Sequence, residues 1–191
     1  MRRLNKYYKI IAVLLLVTGC RTNGSIVISN SVKLNSIQAD MDGYIWLDDQ
    51  GGVFEEISVD EACRLFEEDG SGILCFGDIG CAYCQRAIPE LYKIAYKYCV
   101  TVYYIGVYAP WNTAEDYARL FPIIDSVMVS TPQGKVLKIP LIIAVKDGEI
   151  VGSHLSLVED YHMESESSQM SWKQKKKLQV IYAELIKAVG S

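Results

Sequence analysis

The chain has 191 residues, of which 50% are hydrophobic and 22% are charged, a balance that fits one globular domain with extensions. Collagen-like, low-complexity and wholly disordered chains are excluded, because only 14 Gly and 5 Pro accompany the rich apolar content. The net charge of −4 argues against a nucleic-acid-binding protein. Six cysteines are too few for a disulfide-stabilised scaffold of this length but sufficient for a redox or metal site.

The first twenty residues have the pattern of an export signal. Four cations precede the apolar run 10–17, which is too short to cross a bilayer comfortably. The following Val17-Thr18-Gly19-Cys20 resembles a bacterial lipobox, in which the cysteine is diacylated and becomes the new N-terminus. We therefore expect lipidation of Cys20 and attachment to the extracytoplasmic face of the cell membrane. Loss of residues 1–19 removes four positive charges, so the mature chain carries −8.

The segment after the signal predicts a tether and then short strands. Residues 20–52 are expected to form a lipidated tether with an N-terminal strand extension. Residues 44–47 and 53–57 have the composition of short strands separated by a turn. Ser58 and Glu61 then have the spacing of a capping box, which predicts the start of a helix.

The middle of the chain alternates apolar runs with amphipathic segments. Residues 72–76 and 100–107 are apolar or β-branched runs typical of buried strands. Residues 81–98 have the spacing of an amphipathic helix. Thr113 opens another helix, which we expect Pro122 to end.

The C-terminal part has the pattern of a hairpin and a final helix. Residues 141–145 and 149–155 flank the turn signal Lys146-Asp147-Gly148. After the polar loop 159–171, the sequence Ser171 to Gln174 caps the last helix. Strands that alternate with helices predict a parallel sheet, and the hairpin adds antiparallel strands at one edge. The expected fold class is α/β, a mixed sheet flanked by helices on both faces.

The segment Cys81-Ala82-Tyr83-Cys84 carries the chemistry. A C-x-x-C that opens a helix after a buried strand places the first sulfur at the helix N-terminus, where free N–H groups and the helix dipole stabilise a thiolate. The second sulfur lies one turn further, within reach of the first. We therefore expect Cys81 to be the nucleophile and Cys84 the resolving thiol in thiol–disulfide exchange.

A structural disulfide and half of a zinc site are alternative uses of this pair. Zinc needs two further ligands, and the only histidines, His154 and His162, have no ordered spacing and are expected at the surface. We expect no metal or organic cofactor. Among the other cysteines, Cys63 and Cys75 are expected in the core, whereas Cys99 is either buried or paired.

Beyond the C-x-x-C, residues 53–189 resemble the thioredoxin superfamily by pattern. Pro89 lies five residues after Cys84, where the family's active-site helix has a kinking proline. Ile139-Pro140 opens the third core strand, where the family has a cis-proline beside the disulfide. Gly148 follows at the position of the family's hairpin turn.

The resemblance implies both a fold and a set of site residues. The fold would be thioredoxin-like over residues 53–191, with a helical insert at about 108–135. Pro140 would be cis, and Ile139, Pro140 and Tyr83 would contact the substrate next to the attacked sulfur.

The sequence departs from the family pattern in two respects. The segment Gly80-Cys81-Ala82-Tyr83-Cys84 lacks the family's tryptophan and proline, and its aromatic middle residue is closer to glutaredoxin-like sites. Cys75 stands where thioredoxins have the buried acid that assists proton transfer. Asp78 is nearer to the pair in sequence and is the candidate proton relay.

The expected function is that of a membrane-tethered, extracytoplasmic thiol–disulfide oxidoreductase acting on cysteine-containing exported proteins. The direction of electron flow stays open, and a membrane electron carrier would be a partner of a reductant. The reactive segment is also similar to that of thioredoxin-like accessory proteins of bacteriocin export. The alternative is a non-catalytic binding lipoprotein for an exported partner, in which the cysteines only staple the helix.

Overall fold

The computed structural model describes residues 24–48 and 52–190. The predicted signal peptide and Cys20 lie outside the described residues. Within these two ranges, no helix combines the length and the apolar character needed to cross a membrane. The strands and helices are, in chain order, β1 Ile37–Gln38, β2 Phe54–Glu56, α1 Val59–Glu67, β3 Gly72–Gly77, α2 Ala82–Tyr98, β4 Val102–Gly106, α3 Ala114–Ile123, β5 Val129–Thr131, β6 Gly134–Val136, β7 Leu141–Lys146, β8 Glu149–Leu155 and α4 Trp172–Val189.

Six of the strands form one mixed sheet in the order β1-β2-β4-β3-β7-β8. The strands β2, β4 and β3 are parallel, whereas β7 is antiparallel to β3 and β8 is antiparallel to β7. The register places Cys75 opposite Tyr104 on one side and Ile142 on the other, so these three side chains lie on the same face of the sheet. The predicted α/β fold class is confirmed, and the arrangement is thioredoxin-like.

Helices cover both faces of this sheet. Buried residues of α2 and α4, among them Cys84 and Tyr182, share a core with Cys75. Residues of α1 and α3, such as Phe66 and Leu120, form a separate core on the opposite face. The insert helix α3 therefore lies on the face of the sheet opposite α2.

The predicted helix starts are correct in place, but only one predicted capping box forms completely. The Ser171 side chain accepts a hydrogen bond from the backbone N–H of Gln174, and the Gln174 side-chain oxygen accepts one from the Ser171 backbone N–H. Ser58 likewise accepts from the Glu61 backbone. The Glu61 carboxylate instead accepts hydrogen bonds from Asn35, because the N-terminal segment passes beside α1.

The predicted strand at residues 44–47 is wrong. The backbone N–H of Tyr44 bonds to the carbonyl of Met41, and the N–H of Leu47 bonds to the carbonyl of Tyr44, which makes two consecutive turns. These turns bury Met41 and Tyr44 and leave Ile45 exposed. An apolar and aromatic composition typical of a strand is therefore found here in turns.

Two further differences concern the insert. The helix α3 includes Pro122 and ends one residue later, at Ile123, so its predicted end was too early. The small hairpin of β5 and β6 was not predicted, because its strands are only three residues long and bury no side chain completely.

The described part of the predicted tether packs against the domain. As predicted, it adds an edge strand, since β1 pairs antiparallel with β2. Val32, Ala39 and Met41 are buried, and the backbone N–H of Ile26 bonds to the carbonyl of Tyr98. Residues 24–48 are thus part of the folded body rather than a free spacer.

Candidate active site

The C-x-x-C lies where the buried strand β3 ends and α2 begins. Cys81 is the N-cap residue of α2, and its Sγ accepts a hydrogen bond from the backbone N–H of Cys84 at 3.2 Å. A side-chain acceptor at this position satisfies one of the free N–H groups of the first turn. The first turn of α2 contains no acidic side chain, so no carboxylate of the helix itself opposes the positive end of its dipole.

These surroundings favour the charged form of Cys81 and lower its pKa to about 6. The largest cause is the hydrogen bond that the Cys84 thiol donates to the Cys81 sulfur. The backbone N–H groups of Cys84 and Tyr83 act in the same direction, whereas partial burial and the negative charge of Asp78 oppose the decrease. With this pKa, Cys81 is mainly a thiolate at neutral pH.

Cys84 has the opposite environment. Its side chain is fully buried, and its pKa is raised far above its usual range by the hydrogen bond to Cys81, by burial and by the charge of Cys81. Two of these causes depend on a thiolate at Cys81. They disappear when Cys81 becomes part of a mixed disulfide, so the Cys84 thiol becomes more acidic at the step in which it must attack.

The loop before β7 lies beside the nucleophile. The Ile139–Pro140 peptide bond is cis, as predicted, and the carbonyl oxygen of Ile139 lies 3.9 Å from Cys81 Sγ. Tyr83, the third predicted substrate contact, projects from the first turn of α2 and is 42% exposed. The fold therefore brings these predicted site residues together around one sulfur.

Asp78 shapes the turn that delivers Cys81. Its carboxylate accepts a hydrogen bond from the Gly80 N–H at 2.8 Å, and its backbone carbonyl accepts one from the Cys81 N–H at 3.1 Å. Asp78 is partly exposed rather than buried beneath the pair. Its use as a proton relay stays a prediction.

A pair of tyrosines behind the thiols was missed by sequence reasoning. The hydroxyls of Tyr44 and Tyr104 are 2.9 Å apart and hydrogen-bonded, and both residues are buried. A Cβ placed on Gly77 would lie 3.2 Å from the Tyr44 hydroxyl and 3.0 Å from the Tyr104 ring, so the pair packs on the end of β3. Burial raises the pKa of both phenols, so the two hydroxyls are uncharged at neutral pH.

Gln85 was also missed, and it joins the N-terminal segment to the reactive loop. Its side-chain amide donates to the carbonyl oxygens of Gly43 at 2.8 Å and Ile79 at 2.7 Å, and its side-chain oxygen accepts from the Ile45 N–H at 3.0 Å. The backbone N–H of Gln85 bonds to the Cys81 carbonyl. A single side chain thus fixes residues 43–45 against the loop that precedes the nucleophile.

Arg86 performs a similar function for the loop after β8. It is 2% exposed, and its guanidinium donates to the carbonyl oxygens of Glu166 and Ser168, both at 2.7 Å. The ring of Trp46 lies 4.8 Å from the guanidinium carbon. Neither contact has a short-range pattern in the sequence, because the partners are 40 to 82 positions apart.

The remaining cysteines and histidines lie away from this site. Cys63 is buried as predicted, with a pKa raised to about 11 mainly by burial, and Cys99 is disulfide-bonded. His162 is exposed as predicted, whereas His154 is half-buried, because its ring packs edge-on against Tyr182 at 5.9 Å. Within the described residues, no group of three His, Cys, Asp or Glu side chains is arranged to bind a metal ion.

Neither a protein-family model nor a curated protein matches this chain. The geometry is thus the basis for assigning chemistry. A partly exposed sulfur of low pKa at a helix N-terminus, with a protonated thiol one turn away, has the properties needed for two-electron thiol–disulfide exchange.

Proposed function

We propose that the protein is a thiol–disulfide oxidoreductase of the thioredoxin superfamily. The Cys81 thiolate attacks one sulfur of a substrate disulfide, forming a Cys81–substrate disulfide and releasing the other substrate sulfur as a thiolate. Cys84 then loses its proton and attacks Cys81 Sγ. The second substrate thiolate leaves, and the enzyme dithiol has become a disulfide while the substrate disulfide has become a dithiol. The reverse sequence oxidises a substrate dithiol.

The observation that carries this proposal is the contrast within the pair. The pKa of Cys81 is lowered to about 6, whereas burial and the neighbouring thiolate raise that of Cys84. A structural staple needs neither a thiolate nor an exposed sulfur. The partial exposure of Cys81 and the adjacent Ile139 carbonyl are what an incoming disulfide requires.

The proposed place of action is the extracytoplasmic face of the membrane, with Cys20 as the lipid anchor and cysteine-containing exported proteins as substrates. Lipidation requires that the Cys20 sulfur is not the one bonded to Cys99, whose disulfide partner is none of the four described free thiols. Support for this placement comes from the sequence alone: the charged start, the short apolar run and the lipobox-like Val17-Thr18-Gly19-Cys20. In bacterial cells that express the full chain, we expect the protein in the membrane fraction. A Cys20→Ala variant is expected to leave that fraction, and retention of the variant would contradict the lipid anchor.

The catalytic proposal is tested with insulin reduction and with the oxidative refolding of a reduced protein. Cys81→Ser is expected to abolish both activities, whereas a Cys63→Ala control keeps them. Cys84→Ser is expected to accumulate a mixed disulfide at Cys81, which mass spectrometry identifies. Unchanged activity in Cys81→Ser would contradict catalysis and favour a non-catalytic binding lipoprotein.

A further inference from the structure

Three large apolar side chains are exposed on the reactive loop, on the first turn of α2 and on the N-terminal segment that Gln85 binds to this loop. Ile79 lies two residues before Cys81 and is 53% exposed, and Tyr83 lies two residues after it and is 42% exposed. Ile45, which is 72% exposed, comes from the N-terminal segment. We call these three residues the apolar rim. Exposed apolar side chains that cluster beside a reactive group indicate a binding surface more strongly than scattered ones do.

The N-terminal member of the rim is held in place by specific contacts. Gln85 binds Gly43, Ile45 and Ile79 through its side chain, and it belongs to the first two turns of the helix that begins after Cys81. A Cβ placed on Gly43 would lie 2.9 Å from Ile79 Cγ2, so the turn packs directly on that side chain. Ile45 is therefore presented on a fixed frame, and its exposure does not result from a loose chain end.

The position of the rim restricts what can occupy it. Any disulfide that reacts with Cys81 must bring its sulfur to that residue, so the side chains that flank the substrate cysteine lie over the rim. The negative charge of Asp78 acts on Cys81 and disfavours acidic neighbours of the substrate cysteine. Apolar neighbours gain contact area without losing a hydrogen bond.

On this basis, and resting on the proposed function, we propose that residues 43–45 form part of the substrate surface. Ile45 makes the protein select cysteines with apolar neighbours. Such cysteines are buried in folded proteins and accessible in incompletely folded ones. The occupant is thus an extended segment of an incompletely folded polypeptide whose cysteine is flanked by apolar side chains.

The test uses two symmetrical peptide disulfides, one with glycine and one with leucine on both sides of the cysteine. Reduced protein is mixed with each peptide, quenched with acid and analysed by mass spectrometry for the oxidised protein. Each rate is divided by the rate of the same peptide with dithiothreitol, which removes differences in intrinsic reactivity. We expect the wild-type protein to prefer the leucine peptide about tenfold, the effect of one well-buried apolar contact.

Ile45→Ser should reduce this preference to about twofold or less, with a larger loss of rate for the leucine peptide than for the glycine peptide, because it removes the apolar contact and keeps the backbone N–H bonded to Gln85. Ile45→Leu should restore the preference. The matched control is Val27→Ser, a change at another non-helical residue that is 64% exposed, and it should behave as wild type.

Three results would overturn the inference. An unchanged preference in Ile45→Ser, or an equal loss of rate with both peptides, would show that Ile45 does not select the substrate. A wild-type dimer in sedimentation that Ile45→Ser dissociates would assign the rim to a second copy of the chain. If neither peptide oxidises the wild-type protein, the proposed function fails as well, whereas equal rates with both peptides contradict only the selection.

Discussion

Two thiols only six positions apart, Cys75 and Cys81, show how the fold separates an inert cysteine from a reactive one. Both are free thiols. Cys75 lies in the middle of β3 between two neighbouring strands and has no exposed surface, and burial raises its pKa far above its usual range. Cys81 lies at the start of α2, where hydrogen bonds from Cys84 and from backbone N–H groups lower its pKa to about 6.

The comparison teaches that access to hydrogen-bond donors, rather than position in the sequence, determines whether a cysteine here is a reactive thiolate. A residue of the central strand β3 has its backbone groups paired with neighbouring strands on both sides, so none of them can stabilise a charged sulfur. A helix N-cap has free N–H groups directed at its side chain. The same residue type is therefore a core filler at one position and a nucleophile at the other.

The largest expected effect is on turnover. Cys81→Ser should reduce insulin-reductase activity at least about a thousandfold, because a serine hydroxyl is protonated at neutral pH and is a poor nucleophile towards sulfur. Cys75→Ala should keep activity within about twofold, since no part of the exchange reaction involves that thiol. A comparable loss of activity in Cys75→Ala, in a protein with an unchanged circular dichroism spectrum, would contradict the assignment of Cys75 as inert.

Alkylation gives the next largest difference. In native reduced protein at neutral pH, iodoacetamide should modify Cys81 at least about a hundredfold faster than Cys75, because only the thiolate reacts and only Cys81 is both charged and exposed. Peptide mapping by mass spectrometry measures the two rates. Unfolding in guanidinium chloride should remove the difference, and its persistence there would mean that folding does not cause it.

For stability the order of the two positions should be reversed, with the larger effect at Cys75. At pH 5, Cys75→Ser is expected to lower the free energy of unfolding by about 1–3 kcal/mol, because it buries a hydroxyl at a position that the wild-type side chain fills with a weakly polar thiol. Cys81→Ser should cost less than about 0.5 kcal/mol, because serine is a favourable N-cap residue. Denaturant titration of the two variants measures both values, and a larger cost at Cys81 would contradict the N-cap assignment.

The cost at Cys81 should then depend on pH. The pKa of Cys81 is lowered from 9.0 to about 6, so the folded reduced protein binds fewer protons than the unfolded chain between these values. This contribution is complete above about pH 9 and is lost as the pH falls through 6. The stability deficit of Cys81→Ser relative to wild type should therefore grow from pH 5 to pH 9 in reduced protein. The effect of the control change Cys63→Ala should stay constant from pH 5 to pH 8, where the Cys63 thiol is protonated in the folded and the unfolded chain.

The smallest expected effect comes from Asp78, whose negative charge raises the pKa of Cys81. Asp78→Asn keeps an oxygen for the Gly80 N–H but removes the charge. The pH midpoint of Cys81 alkylation should therefore fall by about half a pH unit. A higher midpoint would mean that Asp78 stabilises the thiolate, and a loss of the resolving step alone would support its predicted relay function.

Much of the fold was predictable, because the helices and central strands bury regular faces. The runs at 72–76 and 100–107 and the spacing in 81–98 left little choice of secondary structure. The prediction for residues 44–47 failed because their apolar and aromatic composition, which is typical of strands, occurs here in turns. The β5–β6 hairpin was not predicted because its three-residue strands bury too little to produce a recognisable pattern.

The site was predictable only where it is local or carried by a motif. Cys81 and Cys84 are neighbours on one helix, and Pro140 was placed by family resemblance. The contacts of Gln85 with Gly43, and of Tyr44 with Tyr104, join segments about 40 to 60 residues apart. The hydrophobic periodicity of the sequence does not predict such pairs, because they form only when the N-terminal segment packs against the domain.

The central claim is that Cys81 is a stabilised thiolate, and its ultraviolet absorbance against pH tests this most directly. The titration is done on reduced wild-type protein, and the same titration of Cys81→Ser is subtracted. The claim predicts one thiolate transition near pH 6 that is absent from the variant. A transition near pH 9, or one that persists in Cys81→Ser, would contradict it.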